Sequence, residues 1–501
     1  MLSPAMISRG VLGSVLVLVG GFVVSTIPRS APVMELELLA DARATTGGRM
    51  VGLALVMLGL GLLGAAWLSL CRAVARVDGG EQATYDAVDR VRYCTLLWCA
   101  PLLLAPPLFS RDGWSYAAQG TMTNVDASPY LYGPNVLGGP VVEAVDPRWM
   151  GTVTPYGPLP LAIGDLAATL TGNPWVLVVL HRLAALAGLA LLAWAVPRMA
   201  RWAGVNPALA TAIVCASPLM LSNGAGGLHN DLTMVGLMAA ALVVAVERSW
   251  MLGAVLGGLA AAVKAPGGLV CIAIALVSLP LAASLAQRLR RLVVVAAISV
   301  TCLVALGLAW GVGLGWIEAL TVPGTVNTPL SLPTVVGGAL DDIATLVGLG
   351  TPQATFLEIT RLVGNVAAIG FAVWVALRWP TGDRERAVAA VAAVMGVMIL
   401  LSPVVHLWYF LWVVPFLAPL RLHRLGALGV LFVSVVAGVV APLDSSLHGA
   451  YLAIVMGSMI ATGTVALLFA THRSRARVER IVAPPSWLAA PDRSGERSPA
   501  T

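Results

Sequence analysis

Apolar residues in this chain run in long blocks, broken by short polar segments. The blocks lie roughly at 10–26, 50–70, 93–109, 174–196, 207–223, 231–247, 250–264 and 266–286. They continue at 291–314, 360–378, 387–405, 407–424, 425–443 and 450–470. A helix needs about 20 apolar residues to cross the hydrocarbon. The pattern therefore predicts about fourteen membrane spans, with 334–350 readable either way. The first block follows a single arginine and shows no small-residue cleavage site, so it reads as a retained span rather than a signal peptide. The segment beyond about residue 481, rich in Pro, Ser and Arg, reads as a disordered tail.

Composition supports the lipid reading. Hydrophobic residues make up 58% and charged residues 11% of 501, and mean hydropathy is +0.89; a soluble domain carries about 25% charged residues. The formal charge of +6 does not point to nucleic acid, because the basic residues are scattered over short loops without a stripe of interleaved aromatics. Their distribution reads as topology. Nineteen arginines fall on one side: Arg72, Arg76, Arg90, Arg92, Arg198, Arg201, Arg248, Arg288, Arg290, Arg291, Arg378, Arg384, Arg386, Arg421, Arg424, Arg473, Arg475, Arg477 and Arg480. Five, Arg29, Arg43, Arg49, Arg111 and Arg148, fall on the other. The arginine-rich side is expected to be cytoplasmic, with both termini inside. The six cysteines lie in or against apolar blocks without a Cys-x-x-Cys pair, so neither a disulfide framework nor a zinc site follows.

This orientation places "SRDGWSYAAQG" on the outer face, at the start of the longest loop, 110–173. That loop carries Asp112, Trp114, Tyr116, Tyr130, Tyr132 and Tyr156, and it holds half of the chain's eight tyrosines. Flat rings with polar tips suit sugar rings and carboxylates suit hydroxyls; the structural alternative is an aromatic belt at the headgroups. A second outer turn presents His229, Asn230 and Asp231, where Asn230 or Asp231 would serve equally as a helix N-cap. A third holds Lys264, the one lysine, at the turn of two short apolar segments. A charge this deep costs about 2.5–3.5 kcal/mol on insertion scales, although snorkelling relieves part of it. A fourth brings His406 beside Trp408. Arg182 and Arg361 interrupt spans, and Glu358, one turn before Arg361, would neutralise it in a purely structural reading.

An outer site has no access to nucleotide sugars or ATP, and the chain shows no P-loop or dinucleotide fingerprint. A lipid-linked donor is what remains. A polyprenyl-phosphate sugar needs a cation in the membrane plane for its phosphate and a carboxylate outside it for the acceptor hydroxyl. Phosphate is already a good leaving group, so one base suffices.

The stretches "APPLFSRDGWSYAAQG", "SPYLYGP", "TPYGPL", "GGLHNDLTMVGLM", "AAVKAP" and "PVVHLWYFLW" occur in this order. With them the chain resembles the actinobacterial polyprenol-phosphomannose-dependent α-(1→6)-mannosyltransferases of the GT-C superfamily, and the B-type more than the A-type. The resemblance implies an all-α multi-pass membrane protein of GT-C fold, with about 13–14 transmembrane helices and a large first core outer loop. It divides the chain into an N-terminal helical pair with a cytoplasmic loop (1–92), a catalytic core (93–471) and a basic tail (472–501). It implies inverting transfer of mannose from polyprenyl-phosphate-mannose to a membrane-anchored α-mannoside of the lipomannan and lipoarabinomannan core, on the outer face of the plasma membrane.

Asp112 is then the catalytic base. Lys264, Arg182, Arg361 and His229 are donor-phosphate ligands, and Trp114, Tyr116, Tyr132, Tyr156, Asn230, Asp231, His406 and Trp408 bind sugar or acceptor. No cofactor is assigned, a divalent cation being a candidate, and the lipid-linked sugar is a substrate. Two alternatives stand beside this reading. One is another lipid-phosphate-sugar transferase of the same superfamily. The other is a lipid-linked-sugar transporter or flippase, which would place its polar residues near the midplane rather than in an outer loop.

Overall fold

The computed structural model describes residues 3–76, 80–320, 327–444, 459, 463 and 471–483, and its regular elements are helices. Helix α1 (Pro4–Val24) is followed by a short α2 (Glu37–Ala44), and α3 (Thr46–Val74) runs antiparallel to α1. Lipid supplies no hydrophobic drive for such a pair, so close backbone approach has to hold it. Glycines permit that approach: a Cβ at Gly59 would stand 2.6 Å from the Gly13 carbonyl oxygen, and one at Gly20 2.5 Å from that of Gly52.

Helix α4 (Glu81–Cys99) stops before Pro101, which opens a 3-10 turn over Pro101–Leu104. The chain then crosses to α5 (Asp112–Asn124) and on to α6 (Pro158–Leu170). The expected outer loop 110–173 is thus built around two helices of 13 residues each.

Helix α7 (Pro174–Trp202) begins at the Asn173 cap. Helix α8 (Pro207–Cys215) and a π-helical segment Met220–Gly226 meet at a bend of 57° where one straight span was expected. Next come α9 (Asn230–Glu247) and α10 (Trp250–Val263), a 3-10 turn Ala265–Leu269, and α11 (Val270–Val277). The chain reverses at that turn, since a Cβ on Gly257 would lie 2.7 Å from the Cys271 sulfur. Helices α12 (Leu285–Ala309), α13 (Trp316–Ala319), α14 (Leu332–Leu346), α15 (Thr355–Arg378) and α16 (Arg384–Leu401) follow. A 3-10 segment Leu407–Trp412 leads into α17 (Val414–Leu417), α18 (Arg424–Val439) and α19 (His472–Val482).

The all-helical membrane class holds. Among the described residues six helices, α1, α3, α7, α9, α12 and α15, are long and apolar enough to cross alone, and the bent α8 pair makes a seventh. The shortfall from about fourteen has a physical cause. Pro101, Pro218, Pro266 and Pro403 fall in or beside apolar blocks where regular α-helix stops, and each removes a backbone donor. The blocks at 93–109, 250–264, 266–286 and 407–424 therefore become short helices and 3-10 turns. The block at 450–470 lies outside the described residues, as does most of the expected disordered tail. The ambiguous stretch 334–350 is helical through Leu346.

Burial grades the spans. The most apolar window of α9 is 67% buried, against 22% for α12 and for α15. So α9 is the central helix, and its first turn carries Asn230 and Asp231.

Candidate functional site

The site gathers at the ends of broken helices. Asp112 opens α5, with its N–H donating to the Ser110 hydroxyl at 3.1 Å. His229 caps α9 by backbone position without a side-chain capping bond, so neither Asn230 nor Asp231 is spent as an N-cap. The residue just before each stretch has left-handed backbone: Phe109 at φ 64° and Leu228 at φ 57°. Both side chains are buried. Bulky residues avoid this region, and such strain persists only where surrounding packing over-determines it.

These turns and the end of α10 bring two carboxylates into one cluster, one beside an imidazole and one beside an ammonium. Asp112 Oδ2 lies 3.4 Å from His229 Nδ1. This is ion-pair distance without hydrogen-bond alignment, and Nδ1 makes no hydrogen bond. Lys264 Nζ lies 3.0 Å from Asp231 Oδ1, and the same oxygen accepts from Trp412 Nε1 at 2.6 Å.

Aromatic rings wall the cluster. His229 stacks on Trp408 with centroids 3.8 Å apart, and His406 stacks on the same tryptophan at 4.2 Å. Tyr409 and Trp412 stack at 4.1 Å. The Lys264 ammonium stands over the rings of Tyr409, Trp412 and Tyr156 at 4.6, 5.1 and 5.9 Å, each within cation–π range. Tyr156 reaches this position because Gly157 docks on the end of α10. The Gly157 N–H donates to the Val263 carbonyl at 3.1 Å, and a Cβ there would meet the Ala262 carbonyl oxygen at 2.2 Å. Tyr116 meets Tyr156 edge-on at 5.1 Å, and its hydroxyl accepts from the Asn230 N–H at 3.5 Å.

The two carboxylates differ. The Asp231 side chain is 1% exposed and that of Asp112 18%. Burial would raise the Asp112 carboxyl, but His229 beside it, then His406 and Lys264, outweigh burial and hold its pKa below the ordinary carboxylate value. Asp112 is therefore a reachable carboxylate that stays ionised at neutral pH. Asp231 is the committed partner of Lys264.

Several expected ligands go elsewhere. Trp114 is buried away from the cluster, donating to the Thr26 carbonyl at 3.1 Å and packing on Trp175. Asp112 starts a helix, so residue 114 points roughly 200° around the axis while Tyr116 returns to the Asp112 face. Tyr132 stands 53% exposed, and no contact among the described residues draws it into the cluster.

Arg182 is fully buried on α7. It donates to the carbonyls of Ala225 at 3.0 Å, Leu103 at 2.9 Å, Ala105 at 2.6 Å and Gly226 at 3.4 Å. Those are the carbonyls freed where α4 and the π-helical segment end. Arg182 is a clip across two helix breaks, with its guanidinium engaged by backbone carbonyls. Arg361 is drawn to Thr334 at 3.0 Å and to Asn327. Thr334 in turn donates to the Pro403 carbonyl at 2.6 Å, so Arg361 braces the chain leading to His406. Tyr409 and Trp412 were not among the expected site residues, although their i, i+3 spacing in "WYFLW" was the available signal. Among the described residues no group of three or more His, Cys, Asp or Glu side chains is set to hold a metal ion, so no step is drawn through one.

A broken-helix membrane bundle that presents an ionised carboxylate beside a caged ammonium and aromatic walls has the parts of a membrane glycosyltransferase. Comparison with known proteins makes this specific. Residues 7–280 match the family model of the alpha-(1->6)-mannopyranosyltransferase N-terminal domain, and residues 333–471 match that of the MptB C-terminal domain. The chain is 34% identical over 459 residues to alpha-(1->6)-mannopyranosyltransferase A of Mycobacterium tuberculosis, covering 88% of this chain and 85% of that one. It is 30% identical over 389 residues to alpha-(1->6)-mannopyranosyltransferase B of Corynebacterium glutamicum, covering 72% and 64% respectively. The chain belongs to the alpha-(1->6)-mannopyranosyltransferase A/B family and is an α-(1→6)-mannosyltransferase. Its C-terminal match is to the B type, while its 34% identity is to an A type.

The Arg182 clip yields a test. Arg182→Leu removes the charged donor from the carbonyls of Leu103, Ala105 and Ala225, while that of Gly226 keeps the Leu108 N–H at 3.0 Å. Hydrogen bonds to charged groups contribute about 1.5–3 kcal/mol each. We expect a sharp fall in the thermal midpoint of the detergent-solubilised protein. The enzyme that remains folded should keep its donor KM; a raised KM with an unchanged midpoint would restore the phosphate role.

Proposed function

We propose that the chain transfers mannose from a polyprenyl-phosphate-mannose donor to a membrane-anchored α-mannoside acceptor of the lipomannan type. The transfer is a single inverting displacement on the outer face of the plasma membrane. The observation that carries this reading is the placement of Asp112 and Lys264 in one cluster around the Leu407–Trp412 segment: His229 beside Asp112 stacks on Trp408, and Lys264 stands over Tyr409 and Trp412. Both the donor phosphate and the acceptor hydroxyl need a partner at the same carbon.

In this mechanism the acceptor 6-hydroxyl attacks the anomeric carbon and Asp112 takes its proton. The bond to the phosphate oxygen breaks and its electron pair stays on the lipid phosphate. Lys264 faces the charge that develops there, which is where a fixed cation lowers a barrier most. His229 and His406 flank Trp408 and bound the sugar site with Tyr116, Tyr156 and Asn230. His229 serves Asp112 rather than the phosphate. The division into an N-terminal pair (1–92), a catalytic core (93–471) and a tail (472–501) goes with this proposal.

A positioned general base contributes about 10²–10⁴-fold. Asp112→Asn should lower kcat/KM for mannose transfer by that order while the protein still inserts and folds. A rate near that of the unaltered enzyme would remove Asp112 from the mechanism.

The pH dependence has a defined sign. Transfer falls as pH drops through the Asp112 pKa, because a protonated carboxyl accepts no proton. His229→Gln removes an influence that lowers this pKa, so the acid limb of kcat/KM should move to higher pH. An unmoved limb would mean that His229 does not act on the base.

Orientation is checked separately by Gly138→Cys, in the 110–173 segment, and Arg384→Cys, at the start of α16, both exposed positions. In intact cells an impermeant thiol reagent should label position 138 and spare position 384. The reverse pattern would overturn the outer-face assignment and the donor class with it.

A further inference from the structure

We propose that Asp231 is a positioning residue that makes Lys264 favour a singly charged phosphodiester over a doubly charged phosphomonoester, so that the spent lipid phosphate is released. The inference rests on the lipid-phosphate donor reading above.

It starts from how fully Lys264 is already engaged. The ammonium is 3.0 Å from Asp231 Oδ1, its side chain is 12% exposed, and three ring faces stand within 5.9 Å. Trp412 donates to that same carboxylate oxygen at 2.6 Å, which fixes the carboxylate on the lysine side. The other oxygen, Asp231 Oδ2, is buried without a hydrogen-bond partner, so no further donor disperses its charge. Asp112 adds a second carboxylate whose charge interacts with Lys264. One ammonium therefore stands with two carboxylates at the position proposed for the phosphate.

The reaction changes the charge of its own ligand. The donor is a phosphodiester with one negative charge. When the acceptor oxygen–carbon bond forms, the carbon–phosphate oxygen bond breaks with its electron pair left on phosphate, and the acceptor proton passes to Asp112. The departing lipid is a phosphomonoester, carrying about −1.5 to −2 at pH 7. A lysine alone would hold this product more tightly than the donor, since attraction scales with charge. The product would then occupy the site against the next donor. A carboxylate fixed 3.0 Å from the ammonium opposes the second charge. Attraction to the lysine grows in proportion to ligand charge, whereas the cost of taking the ligand out of water grows roughly with the square of that charge. With Asp231 offsetting much of the lysine charge, a singly charged ligand is favoured over a doubly charged one, and this holds after Asp112 has taken the acceptor proton. Buried as they are, these charges are screened far less than surface ones.

The full-length enzyme in detergent tests this with farnesyl phosphate and its methyl ester as competitive inhibitors against the mannose donor. In the unaltered enzyme the methyl ester, a phosphodiester, should bind at least as well as the free monoester. Asp231→Asn keeps an acceptor for Trp412 but removes the charge, and should shift the Ki ratio toward the monoester by roughly tenfold or more. Asp231→Glu should keep the original order. The ratio of two Ki values does not depend on how much of a variant preparation is active. If Asp231→Asn does not fold, the unaltered enzyme and the Glu variant still decide. A clear preference of the unaltered enzyme for the monoester overturns the proposal, as does an unchanged ratio in Asp231→Asn. If neither lipid inhibits while mannose transfer proceeds, the lipid-phosphate donor reading itself fails, and that outcome differs from a reversed order.

Discussion

An ammonium at the end of a 14-residue apolar helix has to find an anion or reach water. Lys264 reaches little water, and its anion is Asp231 on the first turn of the central helix α9. The pair ties α9 to the turn between α10 and α11, and Trp412 joins by donating to the same carboxylate. One ion pair thus holds three broken pieces of helix in register. Tyr156 closes over the ammonium only because Gly157 lets its segment lie on the Ala262 and Val263 carbonyls. Remove the carboxylate and the ammonium loses its compensation; remove the glycine and one ring face withdraws.

Breaking membrane helices exposes backbone groups that lipid cannot satisfy. The structure meets this need with a side chain: Arg182 spans four carbonyls at two breaks. Beyond those breaks Phe109 and Leu228 take left-handed conformations, and Asp112 and His229 emerge shortly after them. The strain and the clip belong to one arrangement. A continuous helix through 93–124 would run past the position of Asp112, and one through 207–247 would leave His229 inside a span. The groups of the candidate site meet because the chain stops being helical where it does.

This arrangement sets the limit of what the sequence discloses. Asp112, His229, Asp231 and Lys264 are readable as charges at the ends of apolar blocks, and their grouping follows once the blocks are oriented. Trp114 reads as their neighbour because adjacency in sequence is visible and the start of a helix at Asp112 is not. The helical turn then carries Trp114 to Thr26 and returns Tyr116 to the cluster. Arg182 reads as a phosphate ligand for a related reason: an intramembrane charge demands a partner, and backbone carbonyls leave no mark in composition. Counting spans meets the same limit. Hydropathy sums over a proline without registering it, so 266–286 and 407–424 read as crossings although each is a 3-10 turn followed by a short helix.

The proposed chemistry places a demand on charge that these features answer together. Transfer needs a base that is ionised, so Asp112 sits at the more open position with an imidazole beside it. It needs a cation where phosphate charge develops, yet a bare cation in a low-dielectric site would hold its product. Placing the lysine against a buried carboxylate and over aromatic faces supplies an attraction that is present and moderate. A quadrupole attracts the cation without competing as a second anion, and its energy of about 0.5–2 kcal/mol is small beside that of a full charge. The aromatic cage can therefore position Lys264 while Asp231 sets how much of its charge remains for a ligand. The tryptophan and tyrosine faces around this lysine are part of the electrostatics of the site as well as its shape.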